Sequence, residues 1–486
     1  MSGAMKIVVM KFGGTSVESA AAIARTAEIV ESRRARGLTP VVVVSAMAKV
    51  TDQLLAAAAA AERGDRTGAL AISSRLRNRH LDAASALLKG DSVAATHKWL
   101  EEQFQSLDDL LRGLAAVQEL TPRTTDLVAS YGERLSSHVI GALYSQSSLN
   151  GIHVDARSCI VTNGDHGKAT PLEEKIEVQL RQHVLPLLEK GHVPVLGGFI
   201  GATEKGVTTT LGRGGSDFTG ALIGRGLNAH SIEIWTDVNG IMTADPRVCS
   251  DALRVKTISF EEASELAYFG AKVLHPATIL PAVQKNIPVW VLNSKDPSNQ
   301  GTQITAIARH SRTPFKSIAI KRKLTIIDVV ASRMLMTHGY LKAIFDVFDK
   351  HKCAVDMVST SEVSVSLSVD SNDRLPAIAA DLSELADVKY EGRKALICMV
   401  GENIRGQRGI AAQVFGAIRH VNVRMISQGA SEINMSFMIE EDDVEEAVRS
   451  LHKHFFQDPD PEIFDVEARE PLTEDSNPAP VVAKRS

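Results

Sequence analysis

The sequence predicts an α/β protein: a mostly parallel open sheet between helical layers, followed by two smaller α+β modules. Three observations carry this expectation. Residues 5 to 310 alternate apolar runs of strand length with helix-like segments, the pattern of a parallel sheet covered on both faces. Residues 65–125 carry leucines at helical spacing with almost no strand signal, so they read as a helical insertion. Beyond residue 317 the chain repeats itself: Gly339 and Gly409, Phe345 and Phe415, and Ser361-Glu362 and Ser431-Glu432 all keep one offset.

Taken in order, Ile7-Val8-Val9-Met10 is a strand that stops at Lys11-Phe12-Gly13-Gly14-Thr15-Ser16. Such a strand delivers an ammonium beside backbone that can approach an anion closely. The spacing is neither a Walker A loop nor a dinucleotide fingerprint. From these residues alone, an ordinary strand closed by a Gly-Gly turn reads equally well. Val41–Val44 is a buried strand leading into Ser45-Ala46-Met47-Ala48, and alanine-rich Leu54–Glu62 is helical. Helical Tyr131-Gly132-Glu133-Arg134 supplies an acid, which by itself would read as a surface residue. Val193–Gly201 runs from a strand into a glycine-rich turn, Ser231–Asp237 ends in a polar pair, and Val289–Leu292 is a late strand. In such sheets chemistry gathers at the carboxyl ends of strands, which here carry Lys11, Gly13, Ser45, Gly198, Thr236 and Asp237.

In the repeated region each copy has a strand (Leu324–Val330; Ala395–Val400), a glycine-bearing turn and a helix. A second strand (Ala354–Val358; Val421–Ile426) and a third (Val363–Val369; Ile433–Ile439) follow. The expected boundaries are 1–310 for the catalytic part, 317–392 and 393–470 for the modules, and a Pro-, Glu- and Ser-rich tail, 471–486, without fixed structure.

Bulk properties narrow the function classes. A chain of 486 residues exceeds one ordinary core. With 44% hydrophobic and 23% charged residues it fits a globular protein, and a net charge of −4 offers no basic excess for nucleic acid. Cys159, Cys249, Cys353 and Cys398 lie far apart, and the histidines show no metal-binding spacing, so thiols in a reducing compartment are expected. The first apolar run ends at Lys11, far short of a membrane span, which makes the cytoplasm the default location.

The most specific string is Thr208-Thr209-Thr210-Leu211-Gly212-Arg213-Gly214-Gly215-Ser216-Asp217. Its glycines let backbone N–H groups face an anion. Ser216-Asp217 opens a helix expected over Phe218–Gly226, whose N-terminus favours negative charge. Arg213 can grip a carboxylate with two parallel hydrogen bonds. Asp217 faces either a substrate ammonium or a magnesium shell. Trp235-Thr236-Asp237-Val238-Asn239-Gly240-Ile241-Met242 with Arg247 places polar groups where a nucleotide could lie, and Phe269-Gly270-Ala271-Lys272-Val273 offers a further lysine.

Together these strings resemble aspartate kinase of the amino acid kinase family, from Lys11 to residue 455, and in particular its lysine-sensitive bacterial form. The repeats resemble that family's paired ACT domains, ferredoxin-like βαββαβ modules. The resemblance implies γ-phosphoryl transfer from MgATP to L-aspartate, the first step of aspartate-family amino acid biosynthesis. It implies Lys11 and Asp217 as catalytic residues, and Ser45, Thr51, Glu133, Arg213, Gly214, Gly215 and Ser216 as substrate-binding residues. Lys11, Gly13, Gly14, Ser16, Thr236, Asp237, Met242, Arg247, Lys272 and Val273 match nucleotide-contacting positions, and Mg2+ arrives with ATP without a direct protein ligand, Asp217 standing in its outer shell. An effector site for an amino acid, L-lysine by resemblance, is implied at Met334, Gly339, Tyr340, Leu341, Val355, Asp356, Ser361 and Glu362, in a homodimer through the ACT modules or a tetramer. The chain departs from the family pattern at Met242, where tyrosine is frequent, and at Met336-Thr337, where His-Ser is the usual pair; the first bears on ATP affinity and the second on effector identity. The alternatives are a glutamate or acetylglutamate kinase of the same fold, or a silent ACT amino acid sensor.

Overall fold

The strand Ile7–Phe12 is buried along its whole length and pairs in parallel on both sides, with Thr39–Val44 and Ser231–Thr236. A near-continuous apolar run is what a central strand covered on two faces requires. The computed structural model describes residues 5–270, 276–330, 339–371 and 373–466. Around the central strand lies an eight-stranded sheet. Its order is Gly151–Val154, Val193–Gly197, Thr39–Val44, Ile7–Phe12, Ser231–Thr236, Val289–Asn293, Thr302–Thr305 and Thr257–Ser259. Every pairing is parallel except that between Val289–Asn293 and Thr302–Thr305. A small sheet of Val161–Thr162, Ile200–Thr203 and Thr208–Thr210, for which the sequence carried no clear signal, stands beside it.

Helices Val50–Glu62, Arg66–Leu87, Asp91–Val117 and Pro122–Ser145 share a core of their own, with Leu54, Leu76, Leu100, Phe104 and Leu107. Thr121 caps the last of them through its hydroxyl, and Pro122 occupies the first turn, where its missing N–H costs nothing.

The second sheet has six strands, ordered Val355–Thr360, Ser364–Asp370, Phe315–Val330, Asp387–Gly401, Asn434–Glu440 and Met425–Gln428, all antiparallel. Its two central strands each serve both repeats. Leu324–Val330 pairs with Asp387–Lys394, whereas Phe315–Lys321 pairs with Leu396–Gly401. Residues 317–321, counted with the first module from sequence, therefore hydrogen-bond to the strand of the second, and the expected break at 392/393 falls inside one continuous strand. The physical reason is that each repeat needs a fourth strand to close its sheet, and each takes it from the long strand shared with its neighbour. Lys323 and Arg393, both at positive φ, mark the irregularity where the pairing changes over. The tail expected over 471–486 lies outside the described residues.

The helix Phe260–Tyr268 links the two sheets. Ser259 and Glu262 form a reciprocal capping box at its start. The Lys316 ammonium, on the long Phe315–Val330 strand, sits 2.9 Å from the Glu262 carboxylate, with both side chains at most 3% exposed. On the next turn Glu265 accepts from the Asn434 amide at 2.6 Å. Removing one member of a buried pair strands the other charge. Lys316→Met should therefore destabilise the chain by roughly 3 kcal/mol, and adding Glu262→Gln should recover part of that loss, as read from the urea unfolding midpoint.

Candidate active site

Lys11 is presented by the central strand, where only 8% of it is exposed, and its ammonium lies 2.7 Å from Asp217 Oδ1. Immediately beyond, the Gly13 N–H donates to the Trp235 carbonyl at 2.9 Å, tying the turn to the adjacent strand. The Ser16 hydroxyl is buried between the Trp235 carbonyl (3.2 Å) and Ser294 Oγ (2.8 Å).

Asp217 comes from the helix Gly215–Gly226. That helix begins three residues before the expected Phe218, because Gly214 adopts a left-handed conformation (φ 75°) and acts as its N-cap. Ser216 and Asp217 thus occupy the first turn, where N–H groups lack intrahelical partners and negative charge is favoured. Phe199, missed from sequence, packs against this turn. It holds a positive φ of 63°, and its N–H donates to Thr219 Oγ1, which in turn donates to the Gly215 carbonyl. Preceding it, Gly198 lies so close to Ser216 that a Cβ there would stand 2.7 Å from the serine Cβ.

Glu133 projects from the helix Pro122–Ser145. Its neighbour Gly132 lets that helix press on the Ala46 segment, since a Cβ would stand 2.7 Å from Ala46 Cβ. One Glu133 oxygen accepts from the Ala46 N–H at 3.2 Å; the other is buried without a hydrogen-bond partner. Burial pushes the carboxyl up to about 8, against the pull of the Ala46 N–H and the Lys11 ammonium. In the ligand-free site it is therefore mostly neutral at pH 7.

These groups enclose a cavity of about 440 Å³. It is lined by Lys11, Ser45, Thr51 and Glu133 together with Phe199 and Gly212 to Asp217. A smaller hollow of about 250 Å³ adjoins it, between Gly14, the Ser45–Lys49 segment and Glu133. Arg213 is exposed at the cavity, with no ion-pair partner among the described residues. Two cations, two acids and several hydroxyls thus share one space, which suits a small zwitterion with a second anion beside it.

Residues 6–293 match the amino acid kinase family, and residues 397–455 match an ACT domain. The lysine-sensitive aspartokinase 3 of Escherichia coli (strain K12) is 37% identical over 462 residues, covering 93% of this chain and 100% of that protein. The chloroplastic aspartokinase 3 of Arabidopsis thaliana is 36% identical, over 92% of this chain and 81% of its own length. Among solved structures, E. coli aspartokinase III in complex with aspartate and ADP aligns with a TM-score of 0.79 at 37% identity, over 93% of this chain and all of that one. The same protein in complex with lysine and aspartate aligns with a TM-score of 0.80, at the same identity and coverage. The chain is an aspartokinase of the amino acid kinase family. It is an ATP-dependent, allosteric aspartate kinase with an ACT regulatory region, so the glutamate-kinase and silent-sensor alternatives fall away.

In this aspartokinase, of the expected nucleotide residues that are described, Lys11 lines the larger cavity and Gly14 the smaller hollow, whereas Gly13, Ser16, Thr236, Asp237, Met242 and Arg247 line neither. Thr236 ends the strand beside Lys11 and Asp237 follows it, with the Thr236 carbonyl held by Ser294. Met242 is half-buried, and its carbonyl accepts from the Ser317 hydroxyl. Arg247 is turned onto Asp245, its Nε and Nη2 at 3.0 and 2.7 Å from the two carboxylate oxygens. Lys272 and Val273 lie outside the described residues.

At the expected effector site, Gly339 (φ 82°) caps the helix Tyr340–Lys350. Leu341 and Glu362 are exposed, and Ser361 hydrogen-bonds Ser364. Val355 and Asp356 open the strand Val355–Thr360, while Met334 lies outside the described residues. The Asp356 carboxylate is already occupied: both oxygens accept from the Lys321 ammonium, at 2.8 and 2.7 Å. Lys321 was not anticipated from sequence. Among the described residues no helix is long and apolar enough to cross a membrane.

The Glu133 shift gives a pH signature. Its pKa rises from 4.5 unfolded to about 8 folded, so the fold favours the protonated form. The stabilisation is complete below pH 4.5 and lost as pH rises through about 8. Thermal melts of the ligand-free enzyme should fall across this window, by up to roughly 5 kcal/mol in stability, and Glu133→Gln should flatten that fall.

Proposed function

We propose that this aspartokinase transfers the γ-phosphoryl group of MgATP to the β-carboxylate of L-aspartate within the Lys11–Arg213 cavity. The observation that carries the reading is the pair of cations, Lys11 and Arg213, lining one cavity together with Glu133 and Asp217. The side chain of free aspartate titrates near about pH 3.9 and is ionised at neutral pH, so the reaction needs no general base. What it needs is two anions held in line and the spreading phosphoryl charge neutralised.

Each group then has a task. Arg213, with no carboxylate partner among the described residues, takes the substrate α-carboxylate in a two-pronged grip. Glu133 receives the α-ammonium, and the incoming cation lowers its raised pKa, so binding releases a proton. Ser45 and Thr51 add hydroxyl contacts, with Gly214, Gly215 and Ser216 offering backbone at the helix start. Lys11 exchanges its contact with Asp217 for the β/γ-phosphates, and Gly13 and Gly14 let that nucleotide end approach closely, while Ser16 holds the turn. Thr236, Asp237, Met242, Arg247, Lys272 and Val273 remain the proposed nucleotide side.

Asp217 lines the cavity, where a carboxylate suits an outer-shell contact to magnesium that travels with the phosphates. Bound there, Mg2+ would neutralise charge on the nucleotide oxygens.

For regulation we propose an amino acid effector with a side-chain or α-ammonium, L-lysine by the E. coli precedent, at Gly339, Tyr340, Leu341, Val355, Asp356, Ser361 and Glu362, together with Met334. Such an ammonium would replace Lys321 at Asp356. The exposed apolar side chains of Leu341, Phe345, Val358 and Val363 support a homodimer through the ACT modules. The cytoplasm is the proposed compartment, on the scattered cysteines of the sequence.

Two measurements test this reading. In steady-state ADP release, Lys11→Ala should lower kcat about a hundredfold or more, whereas Arg213→Lys should raise the aspartate KM about tenfold with little change for ATP; a near-wild-type Lys11→Ala, or equal shifts in both KM values, would count against the assignment. Titrated with lysine, the wild type should be inhibited and Asp356→Ala should be relieved, with unchanged inhibition removing Asp356 from the effector site.

A further inference from the structure

Asp126 lies two helical turns before Glu133 on the helix Pro122–Ser145, and a seven-residue separation returns to nearly the same helix face. It is 1% exposed, and its carboxylate faces away from water. Three donors converge on it. The Thr210 hydroxyl donates at 2.6 Å, the Gly167 N–H at 3.0 Å, and His166 Nδ1 lies 2.9 Å away. These donors come from two separate segments. Thr210 ends the strand Thr208–Thr210, two residues before the Gly212-Arg213 turn. His166 and Gly167 belong to the preceding loop, and the Ala169 N–H of that loop donates to the Thr210 carbonyl at 2.9 Å. Gly212 rests directly on the loop, where a Cβ would stand 3.3 Å from the Gly167 carbonyl oxygen.

One carboxylate therefore ties the base of the Arg213 turn to the helix that carries Glu133. This matters because of the substrate's own geometry. An amino acid presents its carboxylate and ammonium on a single carbon, so their separation is fixed. A site that reads both must hold its cation and its acid in a matching register, to within about half an ångström. Arg213 sits on a glycine-rich turn and cannot hold that register unaided.

We propose that Asp126 is a positioning residue for aspartate binding, which fixes the Arg213 turn relative to Glu133 through Thr210, His166 and Gly167 without touching the substrate. The proposal rests on the reading of Arg213 and Glu133 as the groups that hold aspartate. Hydrogen bonds to an ionised carboxylate are the strong kind, and replacing it by an amide leaves donors facing donors.

The test is a KM split. Asp126→Asn should raise the aspartate KM about tenfold or more, while the ATP KM and the kcat at saturating aspartate stay within about twofold of wild type. Thr210→Val should move the aspartate KM in the same direction by a smaller factor, and Thr210→Ser should restore it. The double variant Asp126→Asn/Thr210→Val should be less than additive. If Asp126→Asn does not fold, the Thr210→Val and Thr210→Ser pair carries the same expectation. An unchanged aspartate KM in the folded variants, or equal rises in both KM values, overturns the proposal. Arg213→Lys run in parallel separates the two levels: if it too leaves the aspartate KM unmoved, the reading of the cavity fails, whereas a rise there beside an unmoved Asp126→Asn sinks only the positioning role.

Discussion

The Lys11–Asp217 ion pair is the interaction around which the site is arranged. Its cation comes from the central strand of the sheet, and its anion from the first turn of a helix. A lysine so deeply set would be costly to keep charged without a partner. Asp217 meets that need from the end of a helix where a carboxylate is itself favoured. The pair is also left open on one side: both side chains border the cavity, so a phosphate can share the ammonium without either group being withdrawn into the core. The same geometry keeps Glu133 within reach of the Lys11 charge while leaving one of its oxygens unpartnered. A site with one satisfied pair and one unsatisfied acid is poised to take a cation and an anion together, which is what an amino acid beside a triphosphate brings.

Residues whose chemistry is declared by a local string were legible before the fold was. Lys11 at a strand end and Arg213 and Asp217 among glycines meet at one cavity, joined by Glu133, which by itself read as a surface residue and was assigned there by the resemblance alone. Phe199 was not legible, because nothing in an aromatic residue announces a positive φ; only the two glycines before it hint that the backbone turns there. Asp126 reads as an ordinary helix residue until Thr210 and Gly167 arrive from far along the chain. Lys321 is a similar case, since its partner is set by strand packing rather than spacing. At the level of the fold, the alternation of strands and helices was clear, as was the repeat. The exchange of Phe315–Lys321 into the second half of the regulatory sheet was not, because the repeated string begins downstream of it.

That exchange has a consequence for how the two sheets communicate. Lys316 and Lys321 sit on the same strand, five residues apart, the first at a register irregularity between Phe315 and Ser317. One holds Glu262 at the start of the helix Phe260–Tyr268; the other holds Asp356 at the proposed effector site. The far end of the same helix returns to that site, where Tyr268 lies near enough to bear on the Asp356 carboxyl. The helix is thus fastened to the strand at its start by Lys316 and Glu262, while Lys321 farther along that strand holds Asp356. A ligand ammonium that took Asp356 would compete with Lys321, altering that contact while leaving the buried Lys316–Glu262 pair in place. Coupling between sites requires differential contacts in two states of a shared element, and under the proposed effector reading the contact that would differ is Lys321–Asp356, on the same long strand as the Lys316–Glu262 pair.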